Sequence, residues 1–281
     1  MVATLWRCPL CQQVLNPQGA SLSCVNRHSF DLAKEGYVNL LPVQRKHSAD
    51  PGDNKAMLAS RRYFLERGYY APLAAALVQT LQNYCEPNQR LTLYDAGCGE
   101  GYYLNYIAQQ LGHQHRYVGS DIAKTAMKMA AKQYKALSFA VASSFDLPLA
   151  DNSVDVLIRV FAPASESEIQ RVLKPNGLYL WAYPAAQHLY ELRQLIYDQA
   201  KPHSVETLSP LAGMQVLPDI QVKYALQLPD QASIAALLHM TPYYWSASAE
   251  KQAYCQQLNQ LAVTVDFAIS VQRKLAEPAT V

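Results

Sequence analysis

From Leu91 onward, short apolar runs alternate with stretches of helical spacing, and this constrains the fold more than any other feature. LTLYDA (91–96), HRYVGSD (115–121), LSFAVA (137–142), VDVLIRV (154–160) and GLYLWAY (177–183) read as strands. Between them, 102–111, 123–134 and 165–173 carry the apolar period of helices. Strands joined by helices at this pitch form a doubly wound, mostly parallel sheet. Beyond 185 the pattern predicts a helix over 187–199, a strand over 220–228, helices over 230–239 and 247–260, and a last strand over 261–271. Upstream, Met57, Leu58, Tyr63, Phe64 and Leu65 suit one helix ending at Gly68, and Leu73, Leu77, Val78 and Leu81 suit a second. The polar stretch 42–54 (PVQRKHSADPGDN) reads as a loop.

The first strand ends in Tyr94-Asp95-Ala96-Gly97-Cys98-Gly99-Glu100-Gly101, at the start of a helix. Glycines there let the backbone approach a ligand and take positive φ, and the helix start offers free N–H groups to a carboxylate. A dinucleotide fingerprint would read G-x-G-x-x-G; here Tyr102 stands where its third glycine belongs. The G-x-G-x-G spacing resembles instead motif I of the class I methyltransferases. Twenty residues beyond Gly101, Asp121 ends the second strand, placed to accept hydrogen bonds from both hydroxyls of a ribose. Ser143, Ser144 and Phe145 follow the third strand, where such enzymes hold adenine. Asp146-Leu147-Pro148 through Ser153-Val154-Asp155 resembles the same family's DLP…D-x-S-x-D segment. The expected fold is α/β: a class I Rossmann-like methyltransferase with a mostly parallel seven-stranded sheet.

Six cysteines lie at 8, 11, 24, 85, 98 and 255, three of them within the first 24 residues. Cys8 and Cys11 form a C-x2-C knuckle, and Cys24 with His28 a C-x3-H pair. Four N/S donors suit one tetrahedral structural zinc, which would supply the stability that a segment of about 30 residues lacks. A disulfide scaffold would be shorter and denser in cysteine. Half the residues are hydrophobic and 16% are charged, which excludes disorder. With no apolar signal-peptide core and no run of about 18 apolar residues, a soluble cytoplasmic protein is expected. Residues 1–70 hold nine Lys and Arg against five Asp and Glu, so the basic charge sits at the cysteine-rich end. An anionic partner could dock there, although such an imbalance is also ordinary surface variation. The expected organisation is a zinc-ribbon RNA-recognition domain over 1–35, a linker and helix over 36–70, and a cofactor-dependent methyltransferase domain over 71–281.

CPLC (8–11), CVNRHSFDLAKEGYVNLLPVQRK (24–46), DPGDN (50–54), Ser60-Arg61-Arg62, FLERGYY (64–70) and DAGCGEGYY (95–103) together closely resemble the 23S ribosomal RNA (guanine-N1)-methyltransferases. The match around RHSFDLAKEGYVNLLPVQ resembles most the branch found in Gram-negative bacteria. The resemblance implies zinc on Cys8, Cys11, Cys24 and His28. It implies S-adenosylmethionine contacts at Tyr70, Gly99, Glu100, Asp121, Ser144 and His188, beside Asp95, Gly97, Gly101, Ser143 and Phe145 from the loop and strand ends. It also implies a homodimer whose ribbons flank an RNA cleft.

Guanine N1 carries a proton and lies on the Watson–Crick edge, so a base or a polariser of O6 is expected, acting on an unpaired or flipped nucleotide. Asp50 and Asp53 offer two carboxylates, but a Pro-Gly turn with solvated acids is the stronger explanation. Arg159 could stabilise charge on O6, against a structural ion pair; Phe161 could stack on the base, against core packing. Arg7, Arg27, Arg45, Lys46, Arg61 and Arg62 are the candidate phosphate contacts, each also explicable as a solvated charge. Two rivals stand beside the rRNA enzyme. A small-molecule methyltransferase acting on quinone-like precursors would lack the ribbon. A non-catalytic zinc-ribbon RNA-binding protein would not need the intact DAGCGEG and Asp121.

Overall fold

The computed structural model describes residues 5–45, 52–203, 210–243 and 247–276. The ribbon comprises β1 (Asn16–Gln18), β2 (Ser21–Ser23) and β3 (Ser29–Asp31), paired antiparallel in that order. Next come β4 (Val38–Asn39), α1 (Lys55–Glu66) and α2 (Ala71–Tyr84). The side chain of Asn54 caps α1 by accepting from the Ala56 and Met57 N–H groups at 2.9 and 3.0 Å. Pro72 sits in the first turn of α2, where its missing N–H costs nothing.

The second unit runs β5 (Thr92–Ala96), α3 (Tyr102–Leu111), β6 (Arg116–Asp121), α4 (Lys124–Gln133), β7 (Ser138–Val141), β8 (Val154–Val160), α5 (Glu166–Val172), β9 (Leu173–Pro184), α6 (Tyr190–Ile196), β10 (Met214–Leu228), α7 (Gln231–His239), α8 (Ala249–Gln257) and β11 (Leu261–Lys274). The sheet order is β10-β11-β9-β8-β5-β6-β7-β4, with β11 antiparallel to both its neighbours. Seven strands are those of the expected class I methyltransferase sheet. The eighth, β4, comes from the segment read as linker and pairs in parallel with β7, extending the sheet edge.

The two faces are covered differently. Residues from α1 to α4, α6 and α7 pack on one face, among them Phe64, Leu77, Leu104, Met127, Leu192 and Leu237. On the other, α5 shares a core with the ribbon: Trp6, Leu15 and Leu22 join Tyr94, Ala140, Leu157 and Tyr179. The connection from β7 to β8 contains no helix, and the ribbon covers the surface such a helix would have covered. Trp6 meets Tyr94 edge to face at 6.5 Å and bridges Leu149, while the Arg7 N–H donates to the Pro148 carbonyl at 2.8 Å. Burying each of these large apolar side chains contributes about 1.5–3 kcal/mol. The ribbon is therefore part of the sheet's packing.

The D-x-S-x-D segment has a structural explanation. Asp155 accepts the Thr92 N–H at 2.8 Å and holds Lys174 at 2.9 Å, locking β8 to β5 and β9. Asp151 pairs with Arg171 at 2.7 Å.

Candidate active site

The ribbon's two knuckles are tight turns closed by backbone hydrogen bonds. Gln12 donates to the Cys8 carbonyl at 2.8 Å, and Arg27 to that of Cys24 at 2.9 Å, with φ of 65° and 63° at Gln12 and Arg27. These turns bring the ligand atoms of Cys8, Cys11, Cys24 and His28 within 4.8 Å of one another. His28 Nδ1 lies 3.5, 3.3 and 3.5 Å from the sulfurs of Cys8, Cys11 and Cys24, and the Cys11 and Cys24 sulfurs are 3.6 Å apart. A tetrahedron with Zn–S of about 2.3 Å and Zn–N of about 2.0–2.1 Å has edges of roughly 3.5–3.8 Å, so the donors fit zinc. All four positions are filled by protein, which makes the centre structural.

At the carboxyl ends of the parallel strands a cavity of about 720 Å³ opens, the position at which open α/β sheets bind ligands. Its floor is the loop after β5. The Gly97 and Cys98 N–H groups both donate to the Ser120 carbonyl at 2.9 Å, tying the loop to β6. Gly97 has φ +78°, and a Cβ there would stand 2.4 Å from that of Ala162, so only glycine fits.

Three carboxyls surround this loop. Asp121 accepts the Gly99 N–H at 2.9 Å on one oxygen and the Ala123 N–H at 2.8 Å on the other, leaving each oxygen a further lone pair. Burial raises its pKa despite those donors. Burial, then Asp121 and Glu100, push Asp95 up to about 8, and its Oδ1 has no hydrogen-bond partner. Burial lifts Glu100 to about 7, opposed by Arg61 and Arg62. The hydroxyls of Tyr70 and Tyr103, both buried and both lining the cavity, are also without partners among the described residues. A pocket with buried acids and unsatisfied groups suits a cationic ligand rich in hydroxyls. S-adenosylmethionine, with a sulfonium, an ammonium and a ribose diol, meets that requirement.

Ser143, Ser144 and Phe145 line one wall; the Ser144 hydroxyl donates to the Pro163 carbonyl at 2.6 Å. Tyr70, Phe161, His188, Leu189, His203 and Tyr243 also line the cavity. The His188 ring packs 4.5 Å from Phe267 and its Nδ1 accepts the Asp266 N–H at 3.3 Å. Burial first, then His203 and Arg193, push its pKa down to about 3, so the imidazole is neutral. Every expected cofactor position borders the cavity except Gly101, which begins α3 behind it at φ +87°. Tyr103, His203 and Tyr243 escaped the sequence reading because no local motif marks them.

The other candidate residues fall in different places. Arg159 does not border the cavity. Its Nε–H donates to the Ala162 carbonyl, one Nη to the Tyr179 hydroxyl at 3.1 Å, and its guanidinium lies 4.1 Å over Trp181. It braces the turn that carries Phe161, whose φ of 55° is unusual for a bulky residue. Phe161 is 44% exposed at the cavity and its ring packs 5.1 Å from Phe267. Arg61 pairs with Asp53 at 2.5 Å and lines the cavity. Arg62 lies near Glu66 at 3.9 Å and has two buried nitrogens without hydrogen-bond partners, so it too is turned inward. Arg7 is largely buried and meets Asp151 at 3.3 Å. Arg27 is exposed. Arg45 closes a short 3-10 turn. Lys46 and Asp50 lie outside the described residues.

Comparison with known proteins agrees with both halves. A zinc-ribbon family described as "RlmA, N-terminal" matches residues 6–49, and a methyltransferase domain family matches 87–233. A Bacillus subtilis protein provisionally named a 23S rRNA (guanine-N1)-methyltransferase is 30% identical over 96% of this chain and 98% of its own. The 23S rRNA (guanine(748)-N1)-methyltransferase of Streptomyces fradiae is 30% identical over 94% of this chain and 95% of its own.

Proposed function

The chain belongs to the family of 23S rRNA (guanine-N1)-methyltransferases, and from that premise we propose that it methylates N1 of a guanine in a 23S rRNA hairpin with S-adenosylmethionine as donor. The observation that carries the proposal is the glycine-floored cavity of buried acids joined, through a shared core, to a zinc ribbon. A small-molecule methyltransferase would have no use for the ribbon, and a mere RNA binder none for Asp95 and Asp121.

The cofactor supplies a methyl group on a positively charged sulfur. Asp121 would take the ribose hydroxyls on its free lone pairs, and Asp95, with Tyr70 and Tyr103, would answer the polar methionine end. Glu100, Ser143, Ser144, Phe145 and His188 complete the proposed cofactor wall. Holding nucleophile and methyl near contact distance is the protein's main contribution. Phe161, held out by the Arg159 brace, offers an exposed aromatic face beside the cavity on which a flipped guanine can stack, a contact worth about 1–3 kcal/mol. Asp53, paired with Arg61 at the rim, orders the pocket's entrance. The ribbon, with Arg27, Arg45 and Lys46 as phosphate contacts, would position the RNA. No helix among the described residues is long and apolar enough to cross a membrane. A cytoplasmic homodimer completes the proposal, supported by the family resemblance.

Primer extension on 23S rRNA from a strain lacking this gene tests it. A reverse-transcription stop at one guanine should vanish in the deletion strain and return on complementation, and its position identifies the nucleotide. An unchanged stop pattern would overturn the assignment.

A further inference from the structure

Two titratable side chains to which the proposed cofactor contacts assign no role meet at the cavity wall beside His188. His203 Nε2 and the Tyr243 hydroxyl are 3.0 Å apart, and both residues line the cavity. They come from separate stretches of chain, 197–203 after α6 and 240–243 after α7. Both stretches are fixed. Arg193, almost fully buried, donates to the carbonyls of Lys201 and Ala186, and the His203 N–H donates to that same Ala186 carbonyl at 3.0 Å. The Thr241 hydroxyl donates to the Leu238 carbonyl at 2.9 Å. Tyr197 stands edge to face with Tyr243 at 6.2 Å. A charged network thus holds a His–Tyr pair at the wall of a methyl-transfer cavity.

From this juxtaposition, and resting on the proposed function, we infer that Tyr243 and His203 form the proton-accepting relay for guanine N1. The Tyr243 phenol oxygen takes the N1 proton as its own O–H proton passes to His203 Nε2. The freed N1 lone pair forms the bond to the methyl carbon, and the carbon–sulfur pair returns to sulfur. The imidazolium then releases its proton to water, so one proton leaves per methyl transferred. Tyr243 is the catalytic residue because it touches the base; His203 acts through it.

The electrostatics favour the relay. Burial, then Arg193, hold His203 below the ordinary histidine range, opposed by the His188 backbone, so the ring is neutral and able to accept near pH 7. Burial holds Tyr243 up at about 12, so it stays protonated and can pass its proton on. The groups facing the pair are His188, Arg193, Tyr197 and Tyr70. Of these, His188 is already neutral and Arg193 fixed in charge; Asp95 and Glu100, raised to about 8 and about 7 in the same cavity, act through cofactor binding, so with S-adenosylmethionine saturating at every pH His203 sets the acid limb. A placed general base contributes about 10²–10⁴-fold.

The test is single-turnover methylation of a 23S rRNA fragment by the full-length zinc protein, with Tyr243→Phe and His203→Gln variants, at S-adenosylmethionine concentrations that saturate at each pH between about pH 5 and about pH 9. Calorimetric affinity for S-adenosylmethionine and far-ultraviolet circular dichroism are measured on the same samples. Each variant should lose about 100-fold in rate, and the double variant should be no worse than either single one. Cofactor affinity should stay within about twofold. Wild-type rate should fall toward acid, and that limb should disappear in His203→Gln. Full rates in both variants, an acid limb that survives in His203→Gln, or cofactor affinity lost in step with rate would each overturn the relay. Absence of methylation by the wild-type protein would instead overturn the proposed function, and the relay with it.

Discussion

The zinc centre and the cofactor cavity lie on one chain but handle their polar groups in opposite ways. In the ribbon, three sulfurs and an imidazole nitrogen converge within 4.8 Å, and closed backbone turns hold them there. In the cavity, Asp95 Oδ1 and the hydroxyls of Tyr70 and Tyr103 are buried with no partner among the described residues, and near neutrality Asp95 is held mostly protonated and Glu100 about half so. The first donor set matches the four positions of one tetrahedral ion; the second offers polar groups that a ligand can engage. A saturated centre stabilises the fold, whereas a pocket of unmet groups binds in turn and releases. The two are joined mechanically, because Trp6, Leu15 and Leu22 of the ribbon cover the sheet whose strand ends carry the cavity.

The contrast can be broken hardest by removing zinc. Structural zinc sites supply about 10–16 kcal/mol to small domains. Chelation, or Cys24→Ser, should unfold the ribbon, shift the fluorescence of Trp6 and lower the melting temperature of the whole molecule. A melting temperature unchanged after chelation would show that the ribbon is only an appendage. Trp6→Ala is the next largest, at about 3–5 kcal/mol of stability, read by denaturant melts, with zinc content unchanged. Asp121→Ala should do the reverse: about 10–100-fold weaker cofactor binding, from about 1.5–3 kcal/mol of charged hydrogen bonds, with the zinc centre intact.

Proton linkage sharpens the same comparison. Asp95 is raised to about 8, so the folded chain keeps a proton that an unfolded chain has released above the ordinary carboxylate range. Stability of the free protein should therefore decline as pH rises toward about 8. A cationic ligand favours the ionised form, so cofactor binding at about pH 7 should release protons, measured by calorimetry in buffers of different ionisation enthalpy. Binding with no buffer dependence would contradict the pairing of Asp95 with positive charge. The smallest effect is expected for Arg27→Gly. Glycine accepts the φ of 63° there, so stability should change by less than about 1 kcal/mol, while the salt slope of RNA binding falls by about 1.

Local spacing made much of this molecule legible. The C-x2-C and C-x3-H pairs, the glycine loop and Asp121 are set by a few consecutive residues and one strand end, and the strand–helix alternation gave the sheet. What depends on distant contacts was not legible. Val38 and Asn39 read as linker because a two-residue strand has no period of its own. β10 and β11 are longer than their patterns suggested, since their pairing with each other sustains them. For Arg159, Arg61 and Arg7 the sequence left a ligand contact and a structural or solvated role open. Ala162, Asp53 and Asp151, which engage them, lie three, eight and 144 residues away, in directions that spacing does not encode. His203 and Tyr243 meet across 40 residues with no motif at either end.

The assignment as a whole is tested most directly by nucleoside mass spectrometry. Zinc-loaded protein is incubated with S-adenosylmethionine and unmodified 23S rRNA, and the RNA is digested. One N1-methylguanosine per RNA is expected; no methylated nucleoside, or methylation at another atom or base, would refute it.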